Sequence, residues 1–313
     1  MNNKELDKIL LDHKNWILGK ENGKRANLRH ANLKGADLKD AILTRADLSF
    51  AHIKDANLTG ANLRNADLTR AILIDSDLKG ANLTGAILID SDLKRANLTR
   101  SVLIDSDLTR ANLKGADLTR AILINSDLKG ANLIGAILID SDLALANLTR
   151  ADLSFAHIKD ANLTGANLIN ADLRYANLTG ANLTGANLAR ANLKRADLKA
   201  ANLTGAHLIY SDLKGADLTG AILIDSDLEA ANLTGAILKD SDLKGASISV
   251  FCRWALSYKN DLIRIGCKEK TIEDWDSFFE SNRIYKTKRD TEDFKRIRAN
   301  YEALKTYLNI MKK

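Results

Sequence analysis

Proline is missing altogether from these 313 residues, cysteine occurs twice, and only fifteen residues are aromatic. The lack of proline removes every obligatory break in a backbone ladder, so nearly every N–H is free to be used in one. Cys252 and Cys267 stand fifteen apart with no histidine nearby. That spacing lacks the second ligand pair of a zinc site, and free thiols in a reducing compartment are expected. No apolar run approaches the ~18 residues of a membrane span, and the start has no signal-peptide pattern. The expectation is a cytoplasmic protein without membrane contact.

A charge of one sign is also lacking over most of the chain. The formal net charge is +6, yet residues 26–250 hold 25 basic against 26 acidic side chains. The excess lies in the first twenty-five residues (six basic, four acidic) and the last sixty-three (fifteen basic, ten acidic). Lys286, Lys288 and Arg289 form a short basic run, but such runs are usually solvated faces, and nucleic acid is not the expected partner. No catalytic constellation stands out. His13, His30, His52, His157 and His207 are scattered, and no acids, thiols or metal ligands converge on any of them. No catalytic residue, metal or cofactor is assigned, and the chain is read as a non-enzyme.

What is present is a period of five. From Ala26 to Val250 forty-five units follow one another without a slip. Position one is Ala, or Ser in nine units, and position three is always Leu or Ile. Typical units are Ala56 to Gly60 (Ala-Asn-Leu-Thr-Gly) and Ala71 to Asp75 (Ala-Ile-Leu-Ile-Asp). A helix would advance about 500° per unit and smear its leucines around the cylinder, and a strand would flip each successive leucine. The chain must therefore turn a corner after every unit, with positions one and three inward. All fifteen glycines of this region fall at position five, next to the turn. Asp occupies position two in sixteen units and position five in nine, an abundance that fits local backbone bonding better than acid–base chemistry.

This A(D/N)LXX pattern resembles the pentapeptide-repeat proteins, found in bacteria and bacteriophages. The resemblance implies an all-β solenoid, a right-handed quadrilateral parallel β-helix with four units per coil. At the strand spacing, about eleven coils would make a rod roughly 50 Å long, with four leucines per coil filling the axis. Three segments are expected: an N-terminal helical cap over 1–25, the β-helix over 26–250, and a C-terminal strand-plus-helices segment over 251–313.

The flanks read as ends for an otherwise open solenoid. Leu6, Ile9, Leu10, His13, Trp16 and Ile17 have helical spacing, and Gly19 and Gly23 loosen the chain behind them. Ten of the fifteen aromatics fall after Val250. There, Leu262 to Gly266 reads as a strand continuing the last coil, and Thr271 as the N-cap of a helix through Trp275, Phe278 and Phe279. A second helix would carry Phe294, Ile297, Tyr301, Leu304, Leu308 and Met311 as one apolar seam. That seam either folds back on its own chain or pairs with a second copy.

One surface anomaly is apolar. Positions two and four should face water, yet Ile87, Ile89, Val102, Ile104, Ile122, Ile124, Ile137 and Ile139 occupy them. With four units per coil, the middle four stack on one face, a patch of interaction size. Two long duplications argue against any single demanding face. Residues 46–63 recur unchanged at 151–168, shifted by five and a quarter coils, and residues 71–100 recur as a close copy at 121–150, shifted by two and a half. The reading is a scaffold or protein-interaction module with an unidentified protein partner, and family resemblance adds a possible homodimer through the C-terminal segment. The alternative that the resemblance offers is a DNA-mimic regulator of DNA gyrase or another nucleic-acid-binding protein, which needs a strongly negative rod.

Overall fold

A computed structural model describes residues 2–250, 256–259, 262–265, 268–280, 298, 301 and 305. In the repeat region each unit contributes one ladder rung and one corner. Position two pairs in parallel with position two of the unit twenty residues on, from Asn27↔Asp47 to Ile222↔Asp242. Four units therefore make one coil, and the coil has four faces, numbered here from the units that begin at Ala26, Ala31, Ala36 and Ala41.

The corner explains the composition. Ala31 N–H donates to the Leu28 carbonyl at 3.0 Å, closing an i to i+3 turn that recurs along the rod. Every fifth residue from His30 to Gly245 has φ between 53° and 71°, as the third residue of a type II turn requires. Glycine takes this left-handed conformation freely, and Asp and Asn tolerate it. The sequence expectation of glycine beside the turn is thus sharpened: position five is inside the turn. The tall ladder also forces Arg, Leu, Phe and Tyr into the same conformation at other corners.

Four of the five backbone N–H groups in a unit are consumed by turn and ladder. Position one closes the turn. Position two donates one coil back (Asp47 to Ala26, 3.0 Å), and positions three and five donate one coil forward (Leu28 to Asp47, 2.6 Å; His30 to Ser49, 3.0 Å). Only position four is left over. Its N–H donates to the side-chain Oδ1 of the Asn or Asp two residues earlier, as in Thr84 to Asn82 at 3.1 Å and Thr109 to Asp107 at 2.9 Å. This Asx bond is what the repeated Asn and Asp supply. Where Ser replaces Ala at position one, its buried hydroxyl donates to the preceding position-three carbonyl in every unit but that of Ser211, for example Ser76 to Leu73 at 2.6 Å. The leucines of positions three form a continuous dry axis, almost all with no exposure. It leaves no space for an enclosed ligand.

Helix α1 (Asn3–Ile17) closes the first coil. Asn2 and Glu5 form a reciprocal capping box, and Leu6, Ile9 and Leu10 pack on the leucine axis. His13 is fully buried, and its Nδ1 accepts the Ala26 N–H at 3.0 Å, tying helix to rod. Burial pushes the His13 pKa below its ordinary value; the Thr44 carbonyl opposes this and Arg25 adds to it. A Cβ at Gly23 would run into the backbone of Asn15 and Trp16, so the return from helix to coil needs glycine there.

At the other end the corner fails. Val250, a β-branched residue that resists positive φ, stands at the corner position. The chain runs on as β2 (Ser247–Val250), parallel to β1 (Asp227–Leu228). An antiparallel meander follows through β3 (Leu256–Lys259), β4 (Leu262–Ile265) and β5 (Lys268–Lys270). This corrects one expectation: Ser247–Val250 continues the last coil, and Leu262–Ile265 lies two strands further out in the sheet. Helix α2 (Ile272–Glu280) begins at Thr271, whose hydroxyl accepts the Asp274 N–H at 3.2 Å. Trp275 Nε1 donates to the Ile263 carbonyl at 2.7 Å, fixing α2 on β4.

Candidate interaction surfaces

The ladder places the apolar candidates. Val102 and Ile122 are parallel partners on the fourth face, with Ile104 and Ile124 beside them at position four. Ile87 and Ile89 follow the Gly85 corner onto the first face, and Ile137 and Ile139 lie on the third face in the coil of Asp142. All eight point outward and are half-buried, apart from Ile87 at 39% exposure. Sequence reasoning missed Leu145, 62% exposed at the corner between the fourth and first faces. The available signal was a lone leucine at position five. These apolar residues forgo something, because Ile or Val at position two cannot accept the position-four N–H.

Of the C-terminal seam, only Tyr301 lies among the described residues. It is fully buried, its ring centroid 4.8 Å from that of Phe279. Its hydroxyl donates to the Ile272 carbonyl at 2.9 Å and meets Asp276 Oδ1 at 2.7 Å, where Lys305 Nζ also donates. Burial opposes ionisation of Asp276, but Lys305 and Tyr301 outweigh it and hold the carboxyl below its usual range. At Tyr301, then, the seam packs on α2 of its own chain. Phe294, Ile297, Leu304, Leu308 and Met311 lie outside the described residues, as do Cys252, Cys267, Lys286, Lys288 and Arg289.

Many of the carboxylates accept the position-four N–H or pair across coils. Arg95 holds Asp75 in a two-pronged ion pair (both contacts 2.6 Å), and Arg110 holds Asp90 at 2.7 and 2.8 Å; each keeps its carboxyl below the usual range. Asn side chains bridge to Asp one coil back, as Asn97 does to Asp77 at 3.0 Å. Among the described residues no group of three His, Cys, Asp or Glu is placed to hold a metal. His52 and His157 are exposed at position two. No described helix is long and apolar enough to cross a membrane.

Charge differs by face. The second face carries nine basic and six acidic side chains, while the first, third and fourth carry six and seven, seven and nine, and three and four. Corner aromatics are the other feature sequence reading passed over. Phe50, Phe155, Tyr175 and Tyr210 all sit at position five, and Phe155 and Tyr175 are one coil apart. A shallow groove of about 570 Å³ lies beside Tyr175, and one of about 290 Å³ lies where Trp16 and Ile17 meet the Arg45 corner.

The sequence profile of pentapeptide repeats matches eight copies, over residues 24–60, 51–90, 86–125, 126–165, 146–185, 166–205 and 211–249. Among solved structures, HetL from the cyanobacterium Nostoc sp. strain PCC 7120, a protein involved in heterocyst differentiation regulation, is 38% identical. That match covers 79% of this chain and 96% of HetL, with a TM-score of 0.30. Rfr23 from the cyanobacterium Cyanothece 51142 is 33% identical over 37% of this chain and 90% of its own, with a TM-score of 0.27. The plasmid-mediated fluoroquinolone resistance protein QnrB1 is 20% identical over 57% of this chain and 90% of its own, with a TM-score of 0.41. At these TM-scores the superpositions transfer no site between molecules. No curated protein matches the chain by sequence.

Proposed function

Because this chain belongs to the pentapeptide-repeat family, whose members form right-handed quadrilateral β-helices and are generally non-enzymatic, we propose that it is a non-enzymatic scaffold whose rod presents a docking surface to a partner protein. The observation that carries this reading is the apolar patch on the fourth face and its two flanks. Position two is Asn or Asp in 33 of the 45 units, where the side chain satisfies the leftover N–H. Ile87, Val102, Ile122 and Ile137 each give up that bond, worth about 1 kcal/mol. Stacked β-branched neighbours such as Val102 and Ile122 recover roughly 0.2–1 kcal/mol of it. Ile42, Ile72, Ile222 and Ile237 give up the same bond elsewhere on the rod, so what supports the patch is its continuity: Val102 and Ile122 are ladder partners, with Ile87 and Ile137 on the two flanks.

The gyrase-mimic alternative has less support. No face exceeds its basic side chains by more than two acidic ones. A surface that stands in for the phosphates of DNA needs far more negative charge. Dimerisation through the seam would have to use residues other than Tyr301, which is occupied by α2.

The test compares the full chain with a Val102→Asn, Ile122→Asn, Ile137→Asn triple variant in affinity capture from lysate. Proteins held by the natural chain and lost by the variant support the patch. Identical captured sets, with the variant folded by circular dichroism, remove it as the docking surface.

A further inference from the structure

The corner between the second and third faces carries a stack unlike any other on the rod. Phe155 and Tyr175 are parallel to within 4°, with ring centroids 5.0 Å apart. The Arg195 guanidinium continues the column, 5.7 Å from the Tyr175 centroid and with Nη1 3.3 Å from its hydroxyl. Glycines bound this column at both ends, Gly115 and Gly135 before it and Gly215 and Gly235 after it. Nothing lies within 4 Å of where a Cβ at Gly135 would stand, so the outer face of Phe155 is bare. The Gly135 rung measures about 5 Å, enough for one planar ring at a stacking distance of about 3.4 Å, and beyond it the Arg95 side chain reaches the Gly115 rung.

The chain contains its own control. Phe50 stands in the identical eighteen-residue segment, one corner away. There the ring is covered on both sides, by His30 at 4.9 Å and Arg29 at 4.8 Å, and by Arg70 at 5.6 Å. Phe155 is 56% exposed, and Tyr175 is 45% exposed. The same local sequence thus yields a covered ring in one copy and an open one in the other, because the neighbouring rung is glycine.

Beyond the stack lies the groove of about 570 Å³, lined by Arg174, Lys194, Arg195 and Lys214 over Gly215 and Gly235. Arg174 is paired with Asp172 at 2.6 Å and Lys194 with Asp212 at 3.0 Å. Arg195 has a tyrosine where Arg95 has Asp75, and among the described residues neither Arg195 nor Lys214 has an ion pair. This is also the one face with more basic than acidic side chains.

We propose that this edge binds single-stranded nucleic acid. An unpaired base stacks on the outer face of Phe155, and phosphates further along the strand are held by Arg195 and Lys214. Three rungs separate Phe155 from Lys214, about 15 Å, a few nucleotides of an extended strand. Aromatic platforms beside a basic groove bind single strands without sequence preference, because every base has a π-face. A duplex, its bases already stacked on one another, offers such a face only at its two terminal pairs, so it should bind more weakly. The site is independent of the apolar patch.

The experiment is fluorescence anisotropy of the full chain with a labelled ten-nucleotide oligothymidylate at low salt, with a ten-base-pair duplex and inorganic polyphosphate as comparators. Phe155→Gly tests the stack without endangering the fold, since glycine already fills fifteen corners. It is expected to weaken binding roughly tenfold. Phe50→Gly should leave binding unchanged. The Arg195→Glu, Lys214→Glu double variant should abolish measurable binding, and the natural chain's affinity should fall with salt at about 0.7 log units per phosphate held. No binding by the natural chain overturns the proposal. So does duplex bound as tightly as single strand, or polyphosphate competing as well as the oligonucleotide. Loss on charge reversal but not on Phe155→Gly also overturns it, leaving an electrostatic surface that suits an acidic protein equally well.

Discussion

Replacing Asn97 tests the bonding scheme that underlies the repeat. Asn97 stands at position two of the third face, between Asp77 and Asp117 in the ladder. Its Oδ1 accepts the Thr99 N–H at 3.1 Å and the Thr99 hydroxyl, and its Nδ2 donates to Asp77 Oδ1 at 3.0 Å. Asn97→Ala removes all three bonds. Each is worth about 0.5–1.5 kcal/mol net, but Thr99 is only half-buried and water partly replaces them, so about 1–2 kcal/mol is expected in total. Asn97→Asp keeps the acceptor and removes the donor, and it sets a third carboxylate between two others. At about 5 Å in a water-like dielectric each like-charge neighbour costs about 0.8 kcal/mol. The new carboxyl would titrate above its ordinary value in the folded chain. Its penalty is therefore present at neutral pH, is relieved as pH falls below that raised value, and shrinks with salt. A solenoid unfolds piecewise, so the assay is amide hydrogen exchange at Thr99 rather than a global midpoint. Exchange roughly 5- to 30-fold faster in Asn97→Ala is the expectation. An unchanged Thr99 amide in Asn97→Ala, or an Asn97→Asp protein indifferent to pH and salt, would refute the Asx account.

Four further outcomes are expected. Leu118→Ala, at a position with no exposure, should destabilise by about 2–5 kcal/mol in chemical denaturation, since the rigid coils around the axis cannot collapse into the void. Arg150→Gly, at φ 60°, should stabilise by about 0.5–1 kcal/mol in the same assay, the relief of left-handed strain exceeding the added chain entropy. His13 is held below its unfolded pKa of 6.5, so the N-terminal cap should have full stability above pH 6.5 and lose it progressively as pH falls from there toward the folded value; exchange of the α1 amides against pH reads this, and His13→Gln should flatten the profile. Tyr301→Phe removes the bonds to the Ile272 carbonyl and Asp276 and should speed exchange in α2 while leaving the coils unaffected.

The architecture was legible because one constraint repeats. A leucine every fifth residue with no slip permits only a corner after each unit, and Leu28 to Leu243 do line one axis. Helix α1 was legible from its spacing, and so was the Thr271 start of α2. The exit from the solenoid was misread, since Leu262–Ile265 looked as strand-like as Ser247–Val250. The deciding residue was Val250 at a corner, a turn property that apolar periodicity does not register. Of the seam read beyond Asp290 only Tyr301 lies among the described residues, and its cover by α2 was not legible.

By itself the sequence determined the period, the inward leucines that fill the axis and the outward apolar residues, because each follows from one unit read in isolation. Tertiary structure alone decided which residues twenty apart become neighbours. It set Asp75 under Arg95 but Tyr175 under Arg195, and left Phe155 bare beside Gly135 while covering the identical Phe50. The physical reason is that local chemistry repeats every five residues whereas contacts repeat every twenty. A segment copied by five and a quarter coils keeps its fold and meets entirely different neighbours.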